Sequence, residues 1–256
     1  MRYFMILIVL IAFQGKGQYT VIHTIGKIYD TQSGSYLSKG AKVSESANLR
    51  FDSNGARAAV LSASRGRFVI QESQSSGSQS DAVYALASII SPIRGRLSTR
   101  SGSINNLLDF QKHFNEGTVA LLGKSYQVSV SASAFPMSES RFFYAQYLYR
   151  NETINKKLSS ERDNLIITLS EFFSVDGNPI EPASIRDVKL FYYDASKGVS
   201  KIITDMDITY VSDEILKSLM DEFPDTPVTP VFELINSMYG KCSQEQVSKA
   251  ISTLDN

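Results

Sequence analysis

Tryptophan is absent from the chain, histidine occurs twice and cysteine once, and each scarcity removes a class of chemistry. A single cysteine, Cys242, rules out an intramolecular disulfide and leaves none beside the N-terminal apolar run to carry a lipid. One Cys and two His are too few soft ligands for a closed zinc site. A catalytic triad needs a base held between a nucleophile and an orienting group; neither His23 nor His113 sits in a recognisable local signature of that kind. Net charge is missing as well: 26 basic residues balance 26 acidic ones. Nothing in that balance asks for nucleic acid or an anionic membrane surface.

What the chain has is ordinary globular material, 256 residues with 43% hydrophobic side chains, enough for a core without disulfide or metal staples. It opens with Arg2, an apolar run from Phe4 to Phe13, and Gly15 and Gly17 ahead of Gln18. A basic start, a short apolar stretch and small residues before a cut predict a secretory signal over 1–17 with cleavage before Gln18. The run is shorter than the ~20 residues that cross a bilayer, so the mature chain is expected without a membrane span, in a Gram-negative periplasm or outside the cell.

From Ile25 to Ile70 the pattern is β. Ala47, Leu49 and Phe51 alternate with Asn48 and Arg50, the period-two signature of a half-buried strand. Asp52-Ser53-Asn54-Gly55 then predicts a reversal. Strands are expected at Ala56–Ser62 and, after a Ser64-Arg65-Gly66 turn, at Arg67–Gln71. The order of these parts, with Gly26 to Ile28 opening the module and Tyr36-Leu37 and Gly40 leading to Val43, resembles the FecR-type β domain, an SH3-like small barrel or roll of exported bacterial proteins. The resemblance covers about a fifth of the chain by this strand-and-turn matching, residues 18–71 at its widest. It implies an extracytoplasmic interaction module without catalytic residues of its own. Its best-known members carry a transmembrane helix ahead of the domain, where this chain has a short secretory segment.

Residues 72–117 read as a Ser-rich linker with short helices. Gln71 to Ser80 has no apolar residue to bury, Ala82 to Ile90 carries apolar residues at helical spacing before Pro92, and Asn106 to Phe114 predicts a second short helix. Residues 118–211 hold strand-like runs with Asp176-Gly177 and Lys197-Gly198 as turn markers and few helical stretches between them, which favours an Ig-like antiparallel sandwich. Residues 212–256 change period. Ser212 caps one predicted helix, Thr229-Pro230 starts another, and Ser243 with Gln246 has capping-box spacing for a third. The expected class is mainly β with a helical C-terminal segment, α+β overall.

Candidate sites are few. The run Phe142 to Tyr149 is aromatic on both faces of a strand, and since alternate residues point oppositely some of it must face outward. Tyrosine is enriched at interfaces, which selects Tyr144, Tyr147 and Tyr149 as contact residues. Arg94 and Arg96, with Arg100, form the densest basic group, which Arg65 and Arg67 of the earlier Arg-Gly-Arg could join, and offer guanidinium forks to an acidic partner. Asp205 and Asp207, two apart on an expected strand, would share a face and offer oxygen ligands to Ca²⁺; a solvated edge is the other account of them. No other cofactor is implied. These residues point first to a non-enzymatic exported envelope protein acting as an interaction or scaffold module with a protein partner. The alternative is a carbohydrate-binding or sugar-processing envelope protein with the aromatic strand as its platform. An enzyme built on Cys242 or His113 is the third.

Overall fold

The computed structural model describes residues 18–72, 82–93, 103–225 and 227–254; the expected export signal and the Arg94, Arg96 and Arg100 group lie outside them. The chain divides into two compact units, one ending at Pro92 and the other beginning at Ile93, and it is mainly β with a helical C-terminal segment.

The N-terminal unit contains β1 (Gln18–Ile25), β2 (Ile28–Asp30), β3 (Ser35–Tyr36), β4 (Lys42–Ser44), β5 (Asn48–Phe51), β6 (Arg57–Ser62), β7 (Gly66–Gln71), β8 (Val83–Ala85), the single turn α1 (Leu86–Ile89) and β9 (Ile90–Pro92). Two antiparallel sheets, ordered β4-β1-β6-β7-β9 and β3-β2-β5-β8, enclose one core that includes Val21, Ile28, Leu49, Val60 and Ile70. The alternation in β5 holds, with Leu49 and Phe51 buried and Asn48 and Arg50 half-exposed. In β6 three consecutive residues, Ala58, Ala59 and Val60, are buried, so this strand is covered on both faces.

The helix expected over Ala82 to Ile90 is instead strand, turn, strand. Val83 to Ala85 pair with β5 and Ile90 to Pro92 with β7. The extended segments gain ladder bonds to two different sheets, and only the turn between them, α1, stays helical, with its first N–H donated to Ala47 O. Pro92 ends a strand on the sheet edge, where its missing N–H leaves no neighbour unpaired. The N-terminal unit thus continues past residue 71, and part of the span read as a linker returns to it.

The C-terminal unit contains α2 (Leu107–Phe114), β10 (Val119–Leu122), β11 (Ser125–Ser129), β12 (Arg141–Tyr149), β13 (Glu152–Lys157), β14 (Ser159–Glu161), β15 (Asn164–Thr168), α3 (Leu169–Phe172), β16 (Ser174–Val175), β17 (Asn178–Pro179), a 3-10 turn at Pro182–Ser184, β18 (Ile185–Asp194), β19 (Val199–Asp205), β20 (Ile208–Val211), α4 (Asp213–Met220), α5 (Val228–Met238) and α6 (Gln244–Leu254). Antiparallel sheets ordered β13-β12-β18-β19 and β11-β15-β14 turn Phe143, Ala145, Tyr147 and Leu190 of one and Tyr126, Leu165 and Ile167 of the other into a common core, the arrangement of a sandwich. The turn between β12 and β13 is the two-residue pair Arg150-Asn151, both with positive φ, as a tight hairpin matched to strand twist requires.

One ladder departs from an all-antiparallel sandwich: β10 and β20 run parallel, Val119 opposite Ile208 through Leu122 opposite Val211. All four residues of β10 are buried. Val119 and Leu121 join the sandwich core, whereas Ala120 and Leu122 fall on the opposite face by alternation. The residue after β10, Gly123, leaves only 3.2 Å between a Cβ built there and the Ala250 Cβ of α6. Two of the helices follow the expected caps, with Ser212 Oγ accepting from Ile215 N and Ser243 and Gln246 bonding reciprocally, whereas α5 begins at Val228, one residue ahead of Thr229-Pro230, after Pro227 and without a side-chain cap. Their apolar stripes, including Leu216, Leu219, Leu234, Ile235, Val247 and Ile251, are buried against one another and β10.

Lys241 ties this layer together. Its N–H donates to Thr118 O and its C=O accepts from Ala120 N, while its Nζ donates to the carbonyls of Lys112, His113 and Glu116 at 3.1, 3.0 and 2.7 Å. The first two are carbonyls of the last turn of α2, which have no intrahelical donor, and the third lies just beyond its end. The preceding residue must be glycine: φ of Gly240 is +131°, and a Cβ there would stand 2.4 Å from Thr118 O.

Candidate functional site

Strand β12 divides its aromatic residues between two surfaces. Tyr147 is 0% exposed and donates its hydroxyl to Phe172 O at 2.8 Å; burial pushes its phenol up to about 12. Tyr149 packs on the same core with the Arg150 guanidinium 5.0 Å over its ring. Two of the three tyrosines selected as contacts are therefore core-side residues, and Tyr147 in particular is not available to a partner. Tyr144 alone of the three is on the outer face.

That outer face is built from the four strands of the sheet β13-β12-β18-β19. Tyr144 is directly opposite Phe191 on β18, and Phe142 opposite Tyr193. The Tyr144 and Phe191 rings stack at 5.0 Å between centroids with 8° between planes, and Phe142 and Tyr193 meet at 5.3 Å. Lys157 of β13 places Nζ 4.3 Å from the Phe142 centroid, a cation–π contact. On β19, Ser200 Oγ bonds the Tyr144 hydroxyl at 2.8 Å, and Ile202, opposite Phe191, is 50% exposed. Gln146 Nε2 donates to Asn155 Oδ1 at 3.0 Å on the same face. The surface is thus four rings in two cross-strand pairs, edged by lysine, amide and hydroxyl groups. Phe191, Tyr193 and Lys157 were not among the sequence candidates; the alternation of Phe191-Tyr192-Tyr193 carries the same signal as β12 and was the route to them.

The candidates for reaction chemistry are tied down inside the unit. His113 Nε2 and the Tyr126 hydroxyl share a hydrogen bond of 2.6 Å; burial, with the Lys241 ammonium adding to it, holds His113 down to about 4. Burial likewise raises the Tyr126 phenol, with a Gln246 hydrogen bond opposing and Cys242 adding to the rise. Cys242 Sγ accepts from Asn236 Nδ2 at 3.2 Å, and burial pushes the thiol up to about 12. A neutral imidazole and a protonated, buried thiol lack what a nucleophilic pair needs, a thiolate fraction and access.

Asp205 and Asp207 do not share one strand. β19 ends at Asp205, Met206 N bonds Val188 O, and Asp207, in the connection to β20, accepts from Thr118 Oγ1 at 2.8 Å. Both line one groove together with Asp187 and Glu181. Among the described residues no three His, Cys, Asp or Glu side chains gather to hold a metal ion. Of the arginines, Arg65 is engaged in its own unit, with Nη2 donating to the Tyr19 hydroxyl at 2.7 Å, an ion pair to Glu45, and its guanidinium over the Tyr19 ring at 5.2 Å. Among the described residues no helix is long and apolar enough to cross a membrane. No family model, curated protein or solved structure matches the chain.

Proposed function

We propose that the chain is a non-enzymatic exported protein of the bacterial envelope that works by presenting surfaces, with the N-terminal unit as a FecR-like interaction module and the outer face of β12 and β18 as the principal contact surface for a protein partner. The observation that carries this reading is the outward quartet Phe142, Tyr144, Phe191 and Tyr193. Aromatic side chains concentrate contact energy at interfaces, and here rings that add nothing to the core line one sheet face. The burial of His113 and Cys242 in uncharged forms supports the absence of turnover chemistry. Export rests on the pattern of residues 1–17.

A glycan is the second reading, favoured by the hydrogen-bonding groups of Asn155, Gln146 and Ser200 beside the rings, since sugars are held by apolar stacking together with placed polar groups. The test is the full chain carrying a photo-crosslinker in place of Ile202, expressed in its own cells. A single defined protein adduct that disappears in Tyr144→Ala is expected, together with a processed chain beginning at Gln18 in the envelope fraction. Glycan-array binding that Tyr144→Ala abolishes, with no protein adduct, would move the assignment to sugar. Finding the unprocessed chain in the cytosol would defeat both.

A further inference from the structure

One concavity of the C-terminal unit, of about 660 Å³, is separate in composition from the aromatic face. It forms where β19 stops and the chain turns through Met206 and Asp207 into β20, beside the 3-10 turn at Pro182–Ser184. Its apolar lining includes Phe173, Val188, Met206, Ile208 and Tyr210, the first three buried. Four carboxylates, Glu181, Asp187, Asp205 and Asp207, border it against two cations, Arg186 and Lys189. Arg186 is engaged with Asn151 Oδ1 at 3.2 Å and Asp207 with Thr118. The side-chain carboxylates of Asp187 and Asp205 have no hydrogen-bond or ion-pair partner among the described residues, although the Asp205 carbonyl accepts from Thr204 Oγ1. Asp187 also sits at a bulge, where Asp187 and Val188 together oppose Tyr147, with φ of +54°. Backbone held in the left-handed region by a non-glycine residue is strained, and bulges re-aim side chains.

The volume falls in the range of ligand sites, about 300 to 1,000 Å³, but the concavity is a groove open to solvent rather than an enclosed cavity, a shape suited to a length of chain. Its apolar floor would take aliphatic side chains, and its surplus of negative charge, concentrated on two unpaired carboxylates, complements lysine or arginine. We propose that this groove binds an extended basic peptide segment of a partner, with cationic side chains over Asp187 and Asp205 and apolar ones on the floor. This does not depend on the aromatic face.

The experiment titrates the full chain into a fluorescein-labelled heptapeptide alternating leucine and lysine, followed by anisotropy. Binding is expected, weakened by about tenfold or more in D187N/D205N, weakened also between ~0.05 and ~0.5 M salt, and absent for the glutamate counterpart. Asparagine at 187 keeps the left-handed backbone accessible, so the double variant reads charge rather than folding. Ala183→Trp, at an exposed residue of the bordering turn, should block the peptide without moving the thermal midpoint, and Tyr144→Ala should leave peptide binding unchanged. The proposal is overturned by no binding, by equal binding of both peptides, by binding that neither D187N/D205N nor Ala183→Trp alters, or by n-hexylamine competing as well as the peptide, which would make this a small-amine site.

Discussion

Tyr144 and Tyr147 lie in the same nine-residue strand, and one belongs to the surface while the other belongs to the core. Tyr147 is fully buried, its ring meets Phe172 at 5.5 Å, and its hydroxyl is spent on the Phe172 carbonyl. Around Tyr144 the ring is shared with Phe191 and the hydroxyl with Ser200, at half exposure. The same residue type therefore stabilises the fold on one side and stays available for contact on the other. What separates them is strand parity, and parity is set by which face of the sheet meets β11 and β15.

The sharpest way to break that comparison is truncation on the inner side. Tyr147→Ala opens a cavity in the sandwich core and should lower stability by about 3–5 kcal/mol, read as a drop in the urea midpoint; Tyr147→Phe, which leaves the Phe172 carbonyl without its donor, should lower it by about 1–3 kcal/mol. If Tyr144→Ala matched the first value, the division into core and contact face would be wrong.

Acid probes the inner side next. The unfolded chain protonates His113 near its ordinary 6.5, whereas the native chain resists until about 4. Between those values the unfolded state binds more protons, so stability falls as pH falls through this window and the contribution levels off below 4. The total is about 3 kcal/mol for a shift of this size in a mostly buried group. His23 is also lowered by burial, with Lys39 adding to it, and acts with the same sign. Urea midpoints at intervals from pH 7 to 4 should show a shallower slope for His113→Gln, with the share of His23 remaining.

Removing the lysine that caps α2 should have a smaller effect. Lys241→Met leaves three carbonyls without a donor, and water can reach part of them, so a loss of about 1–2 kcal/mol is expected, visible as faster amide exchange at the end of α2. The smallest change belongs to the outer face: Tyr144→Ala should move stability by about 1 kcal/mol or less, the worth of one exposed aromatic pair, while removing the crosslinked adduct.

Much of this fold was legible because local rules agreed with the final packing. The alternation in β5, the reversal at Asp52 to Gly55, the three C-terminal helices and the caps of the first and third all follow from residues within a few positions of one another. The stretch from Ala82 to Ile90 failed because its apolar spacing suits a helix, yet pairing with β5 and β7, more than ten residues away, decides its conformation. The parallel ladder of β10 with β20 joins residues about ninety apart, and nothing near Val119 records its partner. For the candidate site, sequence showed that β12 had two aromatic faces but not which was outward. A single register choice decides that, and it reversed the standing of Tyr147. Asp205 and Asp207 were separated because the strand breaks at Met206, whose side chain is buried.

Lys241 completes a helix that ends 127 positions earlier in the chain, and Gly240 lets it approach Thr118. Because a polypeptide is made from its N-terminus, α2 and β10 emerge from the ribosome long before the residue that terminates the one and borders the other. During that interval the flank of β10 has no cover, and unpaired strand edges of this kind are what make folding intermediates aggregation-prone. Truncation even a few residues before Gly240 would therefore remove the closing piece of the sandwich as well as the last helix, and a nascent chain stalled there should be the protease-sensitive form of this protein.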